Sequence, residues 1–126
     1  GIADYLTTAR DEICLIVQVE NRKGMDALDD ILAIEGIDGV FIGPADLAAD
    51  MGFLGKAGAP EVKEAVRTAI KRIVAAGKAA GILTLDQDLQ KECRALGASF
   101  IATEIDVTLF ASNMRAAAKA AAVRLR

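Results

Sequence analysis

The sequence predicts an α/β fold in which parallel β-strands alternate with helices that cover the sheet. Four apolar runs of strand length recur along the chain, and a segment with helical spacing follows each run. Gly77 and Gly97 each end a helical segment shortly before the next strand, as glycines at helix ends commonly do. Consecutive strand–helix units favour a parallel sheet, because each helix returns the chain across a face of the sheet.

The composition indicates one folded domain, 1–126, and argues against several classes of function. The chain has 126 residues, of which 53% are hydrophobic, so it can form a core. Its net charge of −3 and its lack of a basic cluster argue against nucleic-acid binding. No apolar run reaches the roughly 18 residues that a membrane span needs, and residues 1–10 do not resemble a signal peptide. We therefore expect a cytoplasmic protein with neither a membrane nor a nucleic-acid partner.

The first strand–helix unit follows a short helical segment at residues 3–10. Residues 13–19 form an apolar run interrupted only by Gln18, which predicts a buried strand. Residues 21–33 then show helical spacing, and their apolar stripe consists of Met25, Leu28, Ile31 and Leu32.

The second and third units follow the same pattern. Residues 39–43 predict a strand and residues 44–52 a short helix. Pro60 suits the first turn of the most clearly patterned helix, which Gly77 ends, and residues 78–83 predict the third strand. The buried face of the Pro60 helix is predicted to contain Val62, Val66, Ile70, Ile73 and Val74.

A helix at 86–96 completes the third unit, and a strand at 98–103 begins the last one. After it, Asp106 is predicted to cap a long alanine-rich helix that runs nearly to Arg126. The chain thus supplies four strand–helix units.

Two parallel architectures are compatible with four such units. A doubly wound sheet usually carries a glycine-rich first turn that binds a nucleotide, whereas the first turn here reads VENRKG. A (β/α)8 barrel needs eight units and about 250 residues, roughly twice what this chain supplies. Four units alone would leave two edge strands and an apolar inner face uncovered. If the barrel applies, the chain is either a fragment or a half-barrel that pairs with another half.

Two acidic residues are expected at one rim of the sheet. Gln18 and Glu20 point the same way because side chains alternate along a strand, and Asp46 follows the second strand. Parallel strands end on the same side, so Glu20 and Asp46 face a common mouth, where adjacent strands lie about 4.8 Å apart. Two carboxylates there can share a hard divalent metal such as magnesium or manganese. Helix capping by either acid, or general acid–base catalysis, is the alternative.

The helix that follows the second strand offers a further binding group at the same mouth. Its start presents the backbone N–H groups of Ala45 and Asp46. A helix start of this kind attracts a carboxylate or a phosphate group.

Histidine and cysteine usage restricts the chemistry further. The chain has no histidine, which excludes His-ligated zinc and His-dependent triads within it. Cys14 and Cys93 have neither metal-type nor redox-type spacing, so we expect two buried thiols in a reducing compartment.

Several motifs closely resemble the HpcH/HpaI family of metal-dependent aldolases. They are VQVE at 17–20, GIDGVFIGPADL at 36–47, IKRIVAAGKAAGIL at 70–83 and GASFIATEID at 97–106. The family includes 4-hydroxy-2-oxoheptanedioate aldolase and the 2-keto-3-deoxy sugar-acid aldolases. The likeness extends over essentially the whole chain but matches only the carboxyl-terminal half of the family.

The resemblance implies a (β/α)8 barrel and a class II, pyruvate-dependent aldolase. It implies that Glu20 and Asp46 hold a divalent metal, Mg²⁺, Mn²⁺ or Co²⁺, and that Gln18 lies near the keto group of a 2-oxo acid. The substrate carboxylate would meet the N–H groups of Ala45 and Asp46, and Leu83 would line the pocket. The reaction would make or break a C–C bond between pyruvate and an aldehyde in a 2-keto-4-hydroxy acid.

The chain also departs from the family pattern. The family's acid–base histidine and a substrate-binding arginine belong to the upstream half, so no catalytic residue is expected in this chain. The missing half or a second chain would supply them, and the resemblance also implies a homo-oligomer joined through the terminal helix. Thr103 and Glu104 replace small or apolar residues. Glu104 lies either near the aldehyde end of the pocket or outward against a neighbouring helix, and the outward position is favoured because strand alternation does not fix its direction.

Three functional hypotheses follow. The first is the carboxyl-terminal half of a metal-dependent aldolase. The second is a non-catalytic half-barrel that binds metal and 2-oxo acid or serves only in assembly. The third is a doubly wound binder of small ligands. A lysine-dependent aldolase is disfavoured, because Lys78 begins its strand at the wrong rim and Lys23 lies one turn into a helix.

Overall fold

The computed structural model describes residues 3–125 and contains four parallel strands with seven helices among those residues. In chain order the elements are α1 (Tyr5–Glu12), β1 (Ile16–Val19), α2 (Arg22–Asp26), α3 (Leu28–Leu32), β2 (Gly39–Ile42), α4 (Pro44–Asp50), α5 (Pro60–Ala75), β3 (Ala79–Leu83), α6 (Gln87–Ala95), β4 (Phe100–Ala102) and α7 (Asp106–Arg124). The strands lie side by side in the order β1-β2-β3-β4. The predicted α/β fold with four strand–helix units is therefore confirmed.

The two faces of the sheet have different surroundings. On the covered face, side chains from β2 and β3 are completely buried: Val40, Ile42, Ala80 and Ile82. They belong to one core with residues of α3, α5 and α6. The alternate residues of the strands form the opposite face, which we call the open face: Ile16, Gln18, Phe41, Leu83 and Phe100. None of these five is buried, so the helices cover only one side of the sheet.

Glycine allows the aromatic residues of the open face to pack together. The rings of Phe41 and Phe100 lie 5.5 Å apart between centroids, on strands β2 and β4. Gly81 of β3 lies between them, and a Cβ atom there would come within 2.6 Å of Phe41 Cδ2. A larger residue at position 81 would therefore displace this aromatic pair.

Helix α5 is the main element of the covering layer. Val62, Val66, Ile70 and Ile73 are fully buried as predicted, and Gly77 has a positive φ of 74° after the helix end. Val74 is 36% exposed, so its predicted burial is wrong. Its side chain instead approaches Gly97, at the margin of the helix layer.

The predicted helix over 21–33 is divided into α2 and α3. Ala27 separates them with a ψ of 5°, which is outside the helical range. Gly24 weakens the first piece because glycine disfavours helix, and it lies close to Val19 of β1. The predicted apolar stripe holds despite this break: Leu28 and Leu32 are buried, and Met25 and Ile31 pack against the core.

Several local predictions are wrong in detail. Cys14 is exposed, because it lies between α1 and β1 before the chain enters the sheet, whereas Cys93 is buried as expected. Asp106 is the first residue of α7 rather than its cap, and its carboxylate accepts a hydrogen bond from the N–H of Val107 at 2.7 Å. The observed strands β3 and β4 are shorter than the strands predicted at 78–83 and 98–103.

Helix α7 differs from the other long helix, because none of its residues is buried. It exposes several large apolar side chains: Val107, Leu109, Phe110, Met114 and Val123. Within residues 3–125, no helix combines the length and the hydrophobicity needed to cross a bilayer.

Candidate metal and substrate site

The carboxyl ends of the four strands meet along one rim of the sheet. Glu20 directly follows β1, and Gly43 follows β2 and leads into α4. Thr84 follows β3 and Thr103 follows β4. Because the strands are parallel and in sequential order, the structure brings the predicted site residues to this single rim.

Gln18 and Glu20 form the best-defined contact of the rim. The side-chain amide of Gln18 donates a hydrogen bond to the Glu20 carboxylate at 2.6 Å. Both side chains lie over Gly43, where a Cβ atom would be 2.8 Å from Gln18 Nε2 and 3.1 Å from Glu20 Oε2. Those distances are too short for an ordinary contact, so glycine at position 43 makes room for the amide and the carboxylate.

Gly43 is a site residue that the sequence analysis missed. The available signal was a glycine between an apolar strand and a proline, GVFIGP. That pattern identifies a turn into a helix, but it does not reveal that side chains of the neighbouring strand occupy the space above the glycine.

Asp46 lies in the first turn of α4, three residues after Gly43. It is exposed, and it is not a cap, because the helix begins earlier and Gly43 occupies the cap position. Glu20 does not cap α2 either, since Asn21 does so by accepting a hydrogen bond from the N–H of Gly24 at 2.7 Å. The capping alternative for the two acids is therefore wrong.

An apolar pocket of about 310 Å³ opens at the same rim. Ala45 and Leu83 both line it, so the structure brings together two of the predicted substrate-binding residues. The rest of the wall comes from the start of α4, the turn before α5, the segment after β3, α6 and the residue before α7: Pro44, Ala57, Gly58, Thr84, Leu85, Asp86, Leu89 and Ile105. Asp46 lines an adjacent groove that shares Ala45 and Ala57 with this pocket.

The donor atoms of the rim fit a hard divalent cation bound by few protein ligands. Among residues 3–125, no three His, Cys, Asp or Glu side chains converge closely enough to hold an ion together. Magnesium and manganese sites commonly use one or two carboxylates and leave the remaining positions to water and substrate oxygens. Glu20 and Asp46 match that donor set, with the Gln18 amide holding the Glu20 carboxylate in place.

Asp86, which lines the apolar pocket, forms an ion pair with Lys63. Lys63 Nζ of α5 lies 2.5 Å from Asp86 Oδ2. This hydrogen bond from Lys63, helped by the N–H groups of Leu89 and Asp88, holds the pKa of Asp86 below its ordinary value. Asp86 also caps α6, so one carboxylate joins the start of α6 to α5.

Thr103 and Glu104, which follow β4, lie beside α6. Thr103 and Glu104 line a crevice against α6 that also includes Gln87, Gln90 and Lys91, in agreement with the expected outward position of Glu104.

Lys78 lies before β3, and its ammonium group donates hydrogen bonds to the carbonyls of Ile34 and Ile37 at the opposite end of the sheet. A lysine-dependent aldolase site at the rim is therefore not supported by Lys78.

The chain is similar to curated aldolases over most of its length. It is 57% identical over 115 residues to a hydroxypyruvate/pyruvate aldolase of Agrobacterium fabrum, covering 91% of this chain and 43% of the relative. It is 50% identical over 113 residues to a 2-keto-3-deoxy-L-rhamnonate aldolase of Escherichia coli, covering 90% of this chain and 42% of the relative. The chain thus spans somewhat less than half the length of these relatives.

A solved structure supports the same relationship. The chain superimposes on an HpcH/HpaI aldolase/citrate lyase family protein from Burkholderia cenocepacia with a TM-score of 0.84 and 36% identity, covering 94% of this chain and 46% of that one. The prediction of a (β/α)8-type fold to which this chain contributes half is confirmed, and the doubly wound alternative is wrong. The sequence model of the HpcH/HpaI aldolase/citrate lyase family matches residues 3–113, and this chain therefore belongs to that family.

Proposed function

We propose that the chain carries the metal-binding and 2-oxo-acid-binding half of a class II, pyruvate-dependent aldolase site. The observation that carries this proposal is the hydrogen-bonded pair Gln18–Glu20, packed over Gly43 one helical turn from Asp46. The pair aims a carboxylate at the mouth of the half-barrel, and relatives named as aldolases match this chain over 113 to 115 residues.

Each residue has a defined task in this proposal. Glu20 and Asp46 hold Mg²⁺, Mn²⁺ or Co²⁺, and Gln18 keeps the Glu20 carboxylate in position while its amide lies near the substrate's keto group. When bound, such an ion supplies positive charge that offsets negative charge developing on a 2-oxo acid during C–C bond cleavage.

The remaining groups position the substrate. The N–H groups of Ala45 and Asp46 belong to the first turn of α4, where backbone donors have no partner within the helix. They receive the carboxylate of the 2-oxo acid, as donors at a helix start do. Leu83 and the apolar pocket beside it exclude water from the carbon chain of the substrate.

Proton transfer requires a group from outside these 126 residues. The chain contains no histidine, and its two rim carboxylates, Glu20 and Asp46, are assigned to the metal. An upstream half or a second chain therefore completes the site. The same lack of histidine supports the second candidate function, a half-barrel that binds metal and 2-oxo acid without turnover.

Metal titration tests the proposal directly. Isothermal titration with Mn²⁺ should give one site in the purified chain, and pyruvate should tighten it, because the 2-oxo acid adds oxygen ligands. Glu20→Gln should weaken Mn²⁺ binding by about tenfold or more, since the ion loses a charged ligand. The matched control is Glu35→Gln, an exposed glutamate before β2 at the other end of the sheet.

The outcome separates the candidate functions. Aldol turnover that appears when an upstream half is added favours the aldolase, whereas binding that never leads to turnover favours the non-catalytic half-barrel. Unchanged Mn²⁺ binding in Glu20→Gln, or equal loss in Glu35→Gln, would rule out the assigned site.

A further inference from the structure

A hydrogen-bonded arginine–aspartate pair joins the two elements that carry the rim carboxylates. The carboxylate of Asp50, the last residue of α4, accepts a hydrogen bond from the backbone N–H of Arg22 at 2.8 Å and another from Arg22 Nε at 3.3 Å. Arg22 also donates through Nη2 to the carbonyl oxygen of Asp50. We call these three bonds the Arg22–Asp50 clamp.

The clamp satisfies backbone groups that neither helix satisfies by itself. Arg22 is the first residue of α2, where the N–H groups have no acceptor within the helix, and the Asp50 carboxylate provides one. The carbonyl of Asp50 ends α4, where carbonyls have no donor within the helix, and the Arg22 side chain provides one. The two side chains are 66% and 43% exposed, so an ion pair alone would add little, whereas bonds to the backbone fix the position of both elements.

The clamp lies close in sequence to both proposed metal ligands. Arg22 follows Glu20 by two residues. Asp50 follows Asp46 by four residues in the same helix, so their side chains lie on the same side of α4. A shift of α4 relative to the end of β1 would therefore change the clamp and the separation of the two carboxylates together.

Helix α4 contacts the end of β1 and the turn after it at two places. Before the helix, Gly43 donates its N–H to the carbonyl of Val19 at 3.1 Å. At the last residue of the helix, the clamp joins Asp50 to Arg22. Asp46 lies between these two contacts in sequence, so the clamp opposes a rotation of α4 about Gly43 that would move the Asp46 carboxylate.

We propose that Arg22 and Asp50 are positioning residues that hold Glu20 and Asp46 at the separation needed to share one divalent cation. The inference rests on the proposed function, because it takes these two carboxylates as the ligands of the ion. Groups that orient metal ligands commonly change metal affinity by about tenfold or more. The clamp acts through the backbone and is partly exposed, so its effect should be at or below the lower end of that range.

Mn²⁺ titration of two Asp50 variants tests the clamp. Asp50→Ala should weaken Mn²⁺ binding by about threefold to tenfold, because it removes the acceptor of two bonds from Arg22. Alanine favours helix, so α4 itself should remain intact. Asp50→Asn should retain most of the affinity, because its amide oxygen can still accept a hydrogen bond from the N–H of Arg22.

The matched control is a second arginine–aspartate pair that joins two helices away from the rim. Asp29 of α3 accepts a hydrogen bond from Arg72 Nε at 3.1 Å, and Arg72 Nη1 donates to the carbonyl of Met25. Arg72 lies in the last turn of α5, which leads to the start of β3 and not to its carboxyl end. Asp29→Ala should leave Mn²⁺ affinity unchanged, and urea denaturation of both alanine variants should show that each is folded.

The relaxation of water protons by bound Mn²⁺ gives a readout that a loss of stability would not change. Relaxation per bound ion rises with the number of water molecules on the ion. It should be higher in Asp50→Ala than in the original chain, because water takes the place of a carboxylate that has moved away. Asp46→Ala should show the same rise and serves as the reference.

The outcomes separate the clamp from the metal site itself. Unchanged Mn²⁺ affinity in Asp50→Ala, together with weakened binding in Glu20→Gln, would overturn the clamp and leave the proposed site standing. The fully buried Leu47 and Ala48 would then fix α4 without it. Equal losses of affinity in Asp50→Ala and Asp29→Ala would also overturn the clamp. Unchanged binding in Glu20→Gln would reject the site and, with it, the role of the clamp.

Discussion

The covered face and the open face of the sheet are built from the same four strands but have different partners. On the covered face, Val40, Ile42 and Ile82 are fully buried against helices. On the open face, Phe41 and Phe100 contact each other across Gly81, and Gln18 and Glu20 lie at the rim. The difference shows that alternate residues of one strand have separate tasks: one set packs against the helices, and the other forms a face that the helices do not cover.

The largest expected effect concerns a matched pair of isoleucines. Ile42→Ala should lower the free energy of unfolding by about 2–5 kcal/mol, because it leaves a cavity at a completely buried position. Ile16→Ala should cost less than about 1.5 kcal/mol in dilute protein, because 41% of that side chain is already exposed. Urea denaturation of both variants measures the difference, and equal losses would show that Ile16 is covered in the folded chain.

The second comparison concerns two glycines of the loops. Gly43→Ala should weaken Mn²⁺ binding by about tenfold or more, because the added Cβ pushes Gln18 and Glu20 apart. Gly58→Ala is the control, since its Cβ would meet only Lys63 Cε at 3.9 Å. The measurement is Mn²⁺ titration of both variants. Tight binding by Gly43→Ala would show that the carboxylate does not depend on the space over this glycine.

Asp86 makes two stabilising interactions, the cap of α6 and the ion pair with Lys63, which two variants can separate. Asp86→Ala should lower the free energy of unfolding by about 1 kcal/mol or somewhat more, because α6 loses its cap. Asp86→Asn should cost less at neutral pH, because asparagine also caps helices but does not pair with Lys63. Chemical denaturation at neutral pH measures both losses.

The pH dependence of the Asp86 variants follows from the direction of the pKa shift. Its pKa is lower in the folded chain, mainly because Lys63 donates to the carboxylate, so this stabilisation is complete above the ordinary value of about 3.8. The stabilisation is lost as the pH falls through the lower, folded value. The difference in free energy of unfolding between the wild-type chain and Asp86→Asn should therefore become smaller below about pH 4 in acid denaturation. A difference that becomes larger below about pH 4 would contradict the stabilising role of the ionised Asp86 carboxylate beside Lys63.

The smallest expected effect concerns the two thiols. Cys14 is exposed, whereas burial raises the pKa of the Cys93 thiol. One equivalent of a thiol reagent should therefore react rapidly with the native chain, and a second only after unfolding. Cys14→Ser should remove the rapid reaction. Two rapid equivalents in the native chain would show that α6 opens readily from the sheet.

The sequence predicts the fold well where the pattern is local. The stripe of α5 and the parallel sheet follow from hydrophobic spacing and from repeated strand–helix units, which act over short distances along the chain. The break at Ala27 and the exposure of Cys14 depend on how neighbouring elements meet, and spacing alone does not contain that information. Asp106 resembles a cap by residue type, but the helix starts one residue earlier than that role requires.

The site is predictable in part for the same reason. Strand alternation places Gln18 and Glu20 on one face, and parallel strands place them at the same rim as Asp46. The roles of Gly43 and of the Lys63–Asp86 pair arise from contacts between residues far apart in sequence, with Lys63 on α5 and Asp86 at the start of α6. Residue types along the chain indicate such contacts only after the strands and helices have been placed in three dimensions.

The central claim is that Glu20 and Asp46 hold one ion between them, and a double-mutant cycle on Mn²⁺ affinity tests it most directly. If both carboxylates contact the same ion, Glu20→Gln, Asp46→Asn and the double variant should all lose most of the binding, so that the two losses are far from additive. Losses that simply add, or an Asp46→Asn variant with the affinity of the original chain, would contradict the shared site.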